Sequence, residues 1–284
     1  MLMAFRLIVT VSHQTQVEQF FLLQALVLIQ ELLSISTASS TTSASTTTPA
    51  HRPRLPGTIN KGKPVAYWRF DEKAAGQAVD LTASAIKDDS DNNNDGTASN
   101  TTWTAYTAGK FGSSLSFDGN DYVDCGNGAS LNPATAVTVE TWIKWTNFGD
   151  RLIVAKTDGY TSNYGFLLRE DTPSNTVFFW VGNGTTKAQS PSTAALNTGT
   201  WYHVVGVYDG SYVRLYLNGT EITPAAFFTG AINYTGTGNL YIGKTAWGNG
   251  GYGIIDDVRI YNYARTASQI LEDYNAGSAV HVGE

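Results

Sequence analysis

Cysteine is almost missing from this 284-residue chain, Cys125 being the only one. A single thiol excludes an intramolecular disulfide and any thiolate zinc cluster. It falls in the strand-forming stretch Tyr122-Val123-Asp124-Cys125, where it reads as a small buried hydrophobe, an intermolecular bridge being the other reading. Charge is scarce too: charged residues make up 15% and the net charge is −6, against about a quarter charged in average domains. Without a basic footprint, the composition argues against nucleic acid as a partner. The four histidines, His13, His51, His203 and His281, are scattered. They form no legible Ser-His-Asp or histidine–metal constellation. No apolar run reaches the ~20 clean residues that a membrane-crossing helix needs. The longest, Phe20 to Leu33, is broken by Gln24, Gln30 and Glu31.

What is abundant fits an all-β protein. Aromatics reach 12%, and Gly, Asn, Ser and Thr are plentiful, a mixture that suits short strands joined by tight polar turns. The chain divides by composition. Residues 1–36 are an apolar segment that reads as a signal peptide or a membrane or assembly segment, although Arg6 is the only full positive charge in its n-region. Residues 37–63 form a Ser/Thr/Pro-rich linker that cannot bury enough apolar surface to offset its ordering entropy. A domain follows over 64–277, with a tail at 278–284. Secretion, or membrane or filament contact through residues 1–36, is the content these readings share.

Within the domain, turn signals recur between apolar alternations, the pattern of a sandwich or barrel. The clearest stretch is Trp201 to Thr223. Val205 and Val207 precede Asp209-Gly210; Val213, Leu215 and Leu217 alternate before Asn218-Gly219. Both dipeptides tolerate the positive φ that two-residue hairpin turns require, so a three-stranded meander is predicted. Further strands are predicted at 65–70, 115–117, 137–145, 152–155, 165–169, 177–181, 240–243 and 254–261. One short helix is predicted at the end. Thr266 and Gln269 have capping-box spacing, Ile270 and Leu271 are expected to pack inward, and Gly277 to lie beyond the last turn.

Five blocks resemble the laminin-G-like jelly-roll family in order. They are Val65-Ala66-Tyr67-Trp68-Arg69-Phe70-Asp71-Glu72; Leu115-Ser116-Phe117-Asp118-Gly119 with Asp121-Tyr122-Val123; Trp201-Tyr202-His203 through Leu217-Asn218-Gly219; Leu240-Tyr241-Ile242-Gly243; and Ile255-Asp256-Asp257-Val258-Arg259-Ile260-Tyr261-Asn262. The resemblance implies an all-β, antiparallel two-sheet jelly-roll sandwich of the concanavalin A-like kind. It also implies one structural calcium, held by aspartates near the first and last strands plus loop carbonyls. The matching positions are Asp71, Asp118 and Asp256, with Asp257 in reserve; the alternative is that these acids cap turns or pair with Arg69 and Arg259. A second acidic stretch, Asp91-Asn92-Asn93-Asn94-Asp95-Gly96, has half of an EF-hand loop. Its twelfth position is Thr102 instead of a bidentate acid, so it reads as a turn.

Catalysis by glycoside hydrolysis needs two opposed carboxylates. Family 16 hydrolases carry Glu-x-Asp-x-x-Glu on one strand, whereas Glu140 is followed by Thr141-Trp142-Ile143-Lys144-Trp145. The chain therefore reads as non-catalytic. Its expected ligand is a glycan or an extracellular protein, with a structural subunit of a filament or envelope as the alternative function and a glycoside hydrolase as the last. Strand alternation places Tyr212, Arg214 and Tyr216 on one side, opposite Val213, Leu215 and Leu217. Likewise Asp257, Arg259 and Tyr261 oppose Val258 and Ile260. These two Arg–Tyr sets are the expected sugar platform, with the loop aromatics Trp103, Tyr160, Tyr234 and Trp247 as alternatives. The other reading is that they serve the scaffold beneath a covering segment. Asn100, Asn183, Asn218 and Asn233 each begin an Asn-x-Thr glycosylation triplet.

Overall fold

The computed structural model of the chain describes residues 62–99, 106–119, 121–149, 151–157, 163–244 and 252–278. The segment 1–36, all but the end of the linker, and residues 279–284 lie outside the described residues. Among the described residues no helix is long and apolar enough to cross a membrane. The strands, in chain order, are β1 (Ala66–Trp68), β2 (Thr97–Ser99), β3 (Tyr106–Ala108), β4 (Ser113–Phe117), β5 (Tyr122–Asp124), β6 (Val137–Asn147), β7 (Leu152–Lys156) and β8 (Tyr164–Asp171). They continue with β9 (Thr176–Asn183), β10 (Lys187–Gln189), β11 (Trp201–Tyr208), β12 (Tyr212–Leu217), β13 (Thr220–Phe227), β14 (Tyr241–Ile242) and β15 (Tyr252–Tyr261), and one helix, α1 (Ala267–Ser278), closes the domain.

Two antiparallel sheets result. The first runs β13-β12-β11-β6-β15-β4-β3, with β1 also paired to β15; the second runs β10-β9-β8-β7-β14-β5-β2. All strands predicted from the sequence are present, and β2, β3 and β10 are additional. These three have three residues each, too short for alternation to declare itself. The Asp209-Gly210 and Asn218-Gly219 turns join β11, β12 and β13 as expected, with Asn218 and Gly219 both at positive φ.

The core lies between the sheets. Val137, Val139, Ile143 and Trp145 of β6, Val204 and Tyr208 of β11, and Val213 and Leu215 of β12 meet Phe166, Leu168, Val177, Phe179 and Val181 from the second sheet. A Cβ on Gly206 would stand 2.3 Å from the Phe179 ring, so only glycine lets that ring lie against β11. One bulge keeps β15 in register. Asp256 faces Trp142 and Arg259 faces Glu140, so the run of β15 holds one residue more than β6, with Asp257 at φ +57°. Without that extra residue, strict alternation from Ile255 would turn Val258 and Ile260 away from the core. Instead both are fully buried.

The helix is capped as predicted: the Gln269 amide donates to Thr266 Oγ1 (3.3 Å), and the Thr266 amide to Gln269 Oε1 (2.9 Å). Two details differ from expectation. Ile270 is buried but Leu271 is 45% exposed, since adjacent helical residues point about 100° apart. Gly277 lies inside α1, where a Cβ would come within 2.4 Å of Trp142; it serves close approach rather than termination.

Candidate functional site

The structure divides the expected Arg–Tyr platform. All five residues leave the core side, as alternation requires, but Tyr216 (4% exposed), Arg259 (5%) and Tyr261 (5%) are buried. Tyr216 joins Val205, Val207 and the helix residue Ile270 in a separate apolar cluster. Arg259 and Tyr261 belong to a polar network beside it, centred on the buried Glu140. That carboxylate accepts from Arg265 Nη1, from Arg259 Nη1 (3.3 Å) and pairs with His203 Nε2 (3.0 Å). Arg265 also donates to Tyr261 Oη (3.0 Å) and pairs with Asp273 of α1; Arg259 donates to Asp257 (2.5 Å) and Tyr67 Oη (3.2 Å). Burial raises the Glu140 carboxyl, but Arg265, His203 and Arg259 outweigh it and hold it well below the ordinary range. This is a structural ion network under α1, in which Asp257 and Asp273 share the two arginines with Glu140. Only Tyr212 (39% exposed) and Arg214 stay open, at the β12–β13 edge beside Phe227 (68%). Arg214 is itself paired with Asp209 and Glu221.

Of the three expected calcium ligands, two meet. Asp71 Oδ1 accepts the Ser113 amide (2.8 Å), and Asp256 Oδ2 the Phe111 amide (2.9 Å), so both carboxylates close on the loop between β3 and β4. A Cβ on Gly109 would lie 2.6 Å from Asp256 Oδ2, 2.6 Å from Ser113 O and 2.7 Å from Phe111 O. A Cβ on Gly112 would lie 2.3 Å from Asp71 Oδ1. The buried Asp256 Oδ1 has no hydrogen-bond partner among the described residues. Burial first, then Asp257 and Asp71, pushes the Asp256 carboxyl well above its usual value, and burial raises Asp71. Hard oxygens, an orphaned lone pair and carboxyls that want a positive neighbour fit calcium chemistry. Asp118 does not join them. It is exposed beyond the far end of β4, roughly 13 Å of strand from Ser114. Among the described residues no three His, Cys, Asp or Glu side chains converge on one point, so carbonyls would complete the set. The Asp91–Gly96 stretch is a turn organised by Asp88, whose carboxylate accepts the amides of Tyr67, Ser90 and Asn94.

A groove of about 400 Å³ opens elsewhere, on the outer face of the second sheet, lined by Asp95, Thr97, Ser99, Tyr122, Asp124 and Asn239 among others. Register explains the assembly. Asp124 pairs with both Thr97 and Tyr241, and Ser99 with Tyr122, so these side chains share one face while Ala98, Val123 and Ile242 fill the core. Tyr122 and Tyr241 meet edge to face at 5.6 Å, and Lys244 Nζ lies 3.5 Å from the Tyr241 centroid and 5.3 Å from that of Tyr122. Asn239 Nδ2 donates to both oxygens of Asp124 at 2.9 Å. Half-buried aromatic rings beside a fixed planar amide–carboxylate pair can take the apolar face and the hydroxyls of a small polar ligand.

Trp103, Tyr160, Trp247 and Asn100 lie outside the described residues. Tyr234 packs on the core and donates to Pro133 O (2.9 Å). Asn183 ends β9, Asn218 and Asn233 lie on a turn and a loop, and each uses Oδ1 to accept a backbone amide, from Thr185, His203 and Thr235 respectively. Cys125 is buried and unpaired, and burial raises its thiol well above the usual range.

The family model described as the concanavalin A-like lectin/glucanases superfamily matches residues 117–271. The chain belongs to this superfamily. No curated protein is significantly similar to it. As a concanavalin A-like domain it shares its fold with domain 4 of AbnA, an extracellular GH43 arabinanase from Geobacillus stearothermophilus, solved with arabinotriose. The TM-score is 0.55 at 20% identity, over 74% of this chain and 97% of that one. The binding domain of Paraclostridial Mosquitocidal Protein 1 superposes with a TM-score of 0.54 at 14% identity, over 72% of this chain and 52% of that one. The botulinum neurotoxin serotype D ligand-binding domain, in complex with N-acetylneuraminic acid, gives 0.51 at 12%, over 73% and 51%. The chain thus spans about half the length of these two toxin domains. At such identities the likeness concerns fold alone.

Proposed function

We infer that the chain is a non-catalytic glycan-binding module of a secreted or cell-surface protein, and that the groove between β2, β5 and β14 is its ligand site. The observation that carries this reading is Tyr122 set beside the Asp124–Asn239 pair in an open cleft, with Tyr241 packed edge to face against Tyr122. Sugars need what that combination offers: ring faces for C–H surfaces and fixed polar atoms for hydroxyls. Glu140 is buried and held by Arg265, Arg259 and His203, which favours a structural role for it over hydrolysis. Arabinotriose and N-acetylneuraminic acid in complexes of similar folds support the ligand class. A structural calcium at Asp71, Asp256 and the carbonyls of the β3–β4 loop belongs to the same reading; it would brace that loop against β15 and has no part in chemistry.

A glycan array probed with calcium and with chelator tests the proposal. At least one oligosaccharide class should bind, and Tyr122→Ala should abolish that signal. Silence in both conditions, from a folded protein, sinks it.

A further inference from the structure

The strongest unexplained feature is a lysine. Lys156 ends β7 with no solvent exposure. Its Nζ lies 2.5 Å from Asn127 Oδ1 and 2.8 Å from Gly238 O. It has no ion-pair partner among the described residues, so two neutral oxygens hold a buried ammonium, an expensive arrangement. Burial lowers its pKa to about 8, with Asp124 and Cys125 opposing. Free amine is therefore accessible near neutral pH, and a desolvated lysine is a nucleophile. One of its two partners is a carboxamide, which is an acyl donor. With a carbonyl bond of about 1.23 Å, the observed contact sets the amide carbon about 3 to 3.5 Å from the nitrogen, within reach once the amine has lost its proton and turns from the oxygen to the carbonyl face.

We propose that Lys156 and Asn127 condense into an intramolecular isopeptide bond, tying the end of β7 to the turn after β5. The Nζ–Cγ bond forms and the Cγ–Nδ2 bond breaks. The proton shed by Nζ passes to Nδ2, and ammonia leaves. No oxidant, metal or cofactor is required. Asn127 lies on an exposed turn, which gives ammonia a way out, while the amine stays shielded from water. The bond would replace a buried charge by a neutral amide and remove the desolvation cost. It is independent of the glycan reading.

The full wild-type chain decides the matter. After incubation above the lysine's pKa, denaturation and proteolysis, mass spectrometry should find one branched peptide joining Lys156 to Asn127, lighter than its two parts by one ammonia. Its formation should accelerate as pH rises through about 8. Lys156→Met and Asn127→Ala should each return the two peptides unlinked. Unlinked peptides from folded wild-type protein would overturn the proposal.

Discussion

A carboxylate buried between two guanidinium groups is tolerated only while all three charges remain. Glu140 meets Arg259, Arg265 and His203 inside the fold, so Glu140→Gln leaves two cations under-compensated. The expected loss is about 3 to 5 kcal/mol in urea unfolding, with ligand binding by the surviving folded fraction unchanged. Because the folded Glu140 titrates far below the unfolded group, its contribution is complete above the ordinary carboxylate range. It fades as acid approaches the depressed folded value. The aromatic residues divide in the same concrete way. Tyr122 lines the groove, and Tyr212 sits exposed at the start of β12 in the first sheet. Tyr122→Ala should weaken oligosaccharide binding at least about tenfold, or about 1.4 kcal/mol by calorimetry, whereas Tyr212→Ala should leave it unchanged. Equal losses would relocate the site.

Helix α1 is the element that turns the expected platform into interior. It covers Tyr216 through Ile270 and ties Arg265 and Arg259 through Asp273. Gly277 admits Trp142 to its last turn. Gly277→Val should push the two apart and cost about 1 to 3 kcal/mol, read as a lowered urea midpoint. The long strands, the hairpin turns and the helix cap were legible in the sequence because each rests on a local pattern: alternation, Asn-Gly, or Thr-x-x-Gln. The facing of Tyr216, Arg259 and Tyr261 was legible as well. Their burial was not, since alternation tells which side a residue takes and not what is packed upon it. The groove escaped for a related reason. Thr97, Tyr122, Asp124, Asn239 and Tyr241 come from short strands and a loop far apart in the chain, and only the β2–β5–β14 register joins them. Asp71 and Asp256 could be paired from family resemblance, whereas the separation of Asp118 depended on which end of β4 it follows.

At the scale of the molecule, a two-sheet sandwich offers a rigid body whose outer faces differ in use. The first sheet is roofed by α1, while the second presents the groove. Calcium at Asp71 and Asp256 should stabilise the whole sandwich, by about 2.7 kcal/mol when free calcium is a hundredfold above its dissociation constant. In the ion-free domain Asp256 holds its proton more tightly than in the unfolded chain. Stability of that form therefore declines as pH rises above the ordinary carboxylate range. Calcium takes the proton's place, so its stabilising increment in thermal unfolding should grow from acid toward neutral pH. Identical melting with calcium and with chelator at every pH would remove calcium from the account.

The glycan groove itself is tested most directly by following backbone amide resonances while a bound oligosaccharide from the array is titrated in. Shifts should concentrate on Thr97, Tyr122, Asp124, Asn239 and Tyr241. Saturable shifts centred on Tyr212 and Phe227, with the β2–β5–β14 face silent, would contradict the account.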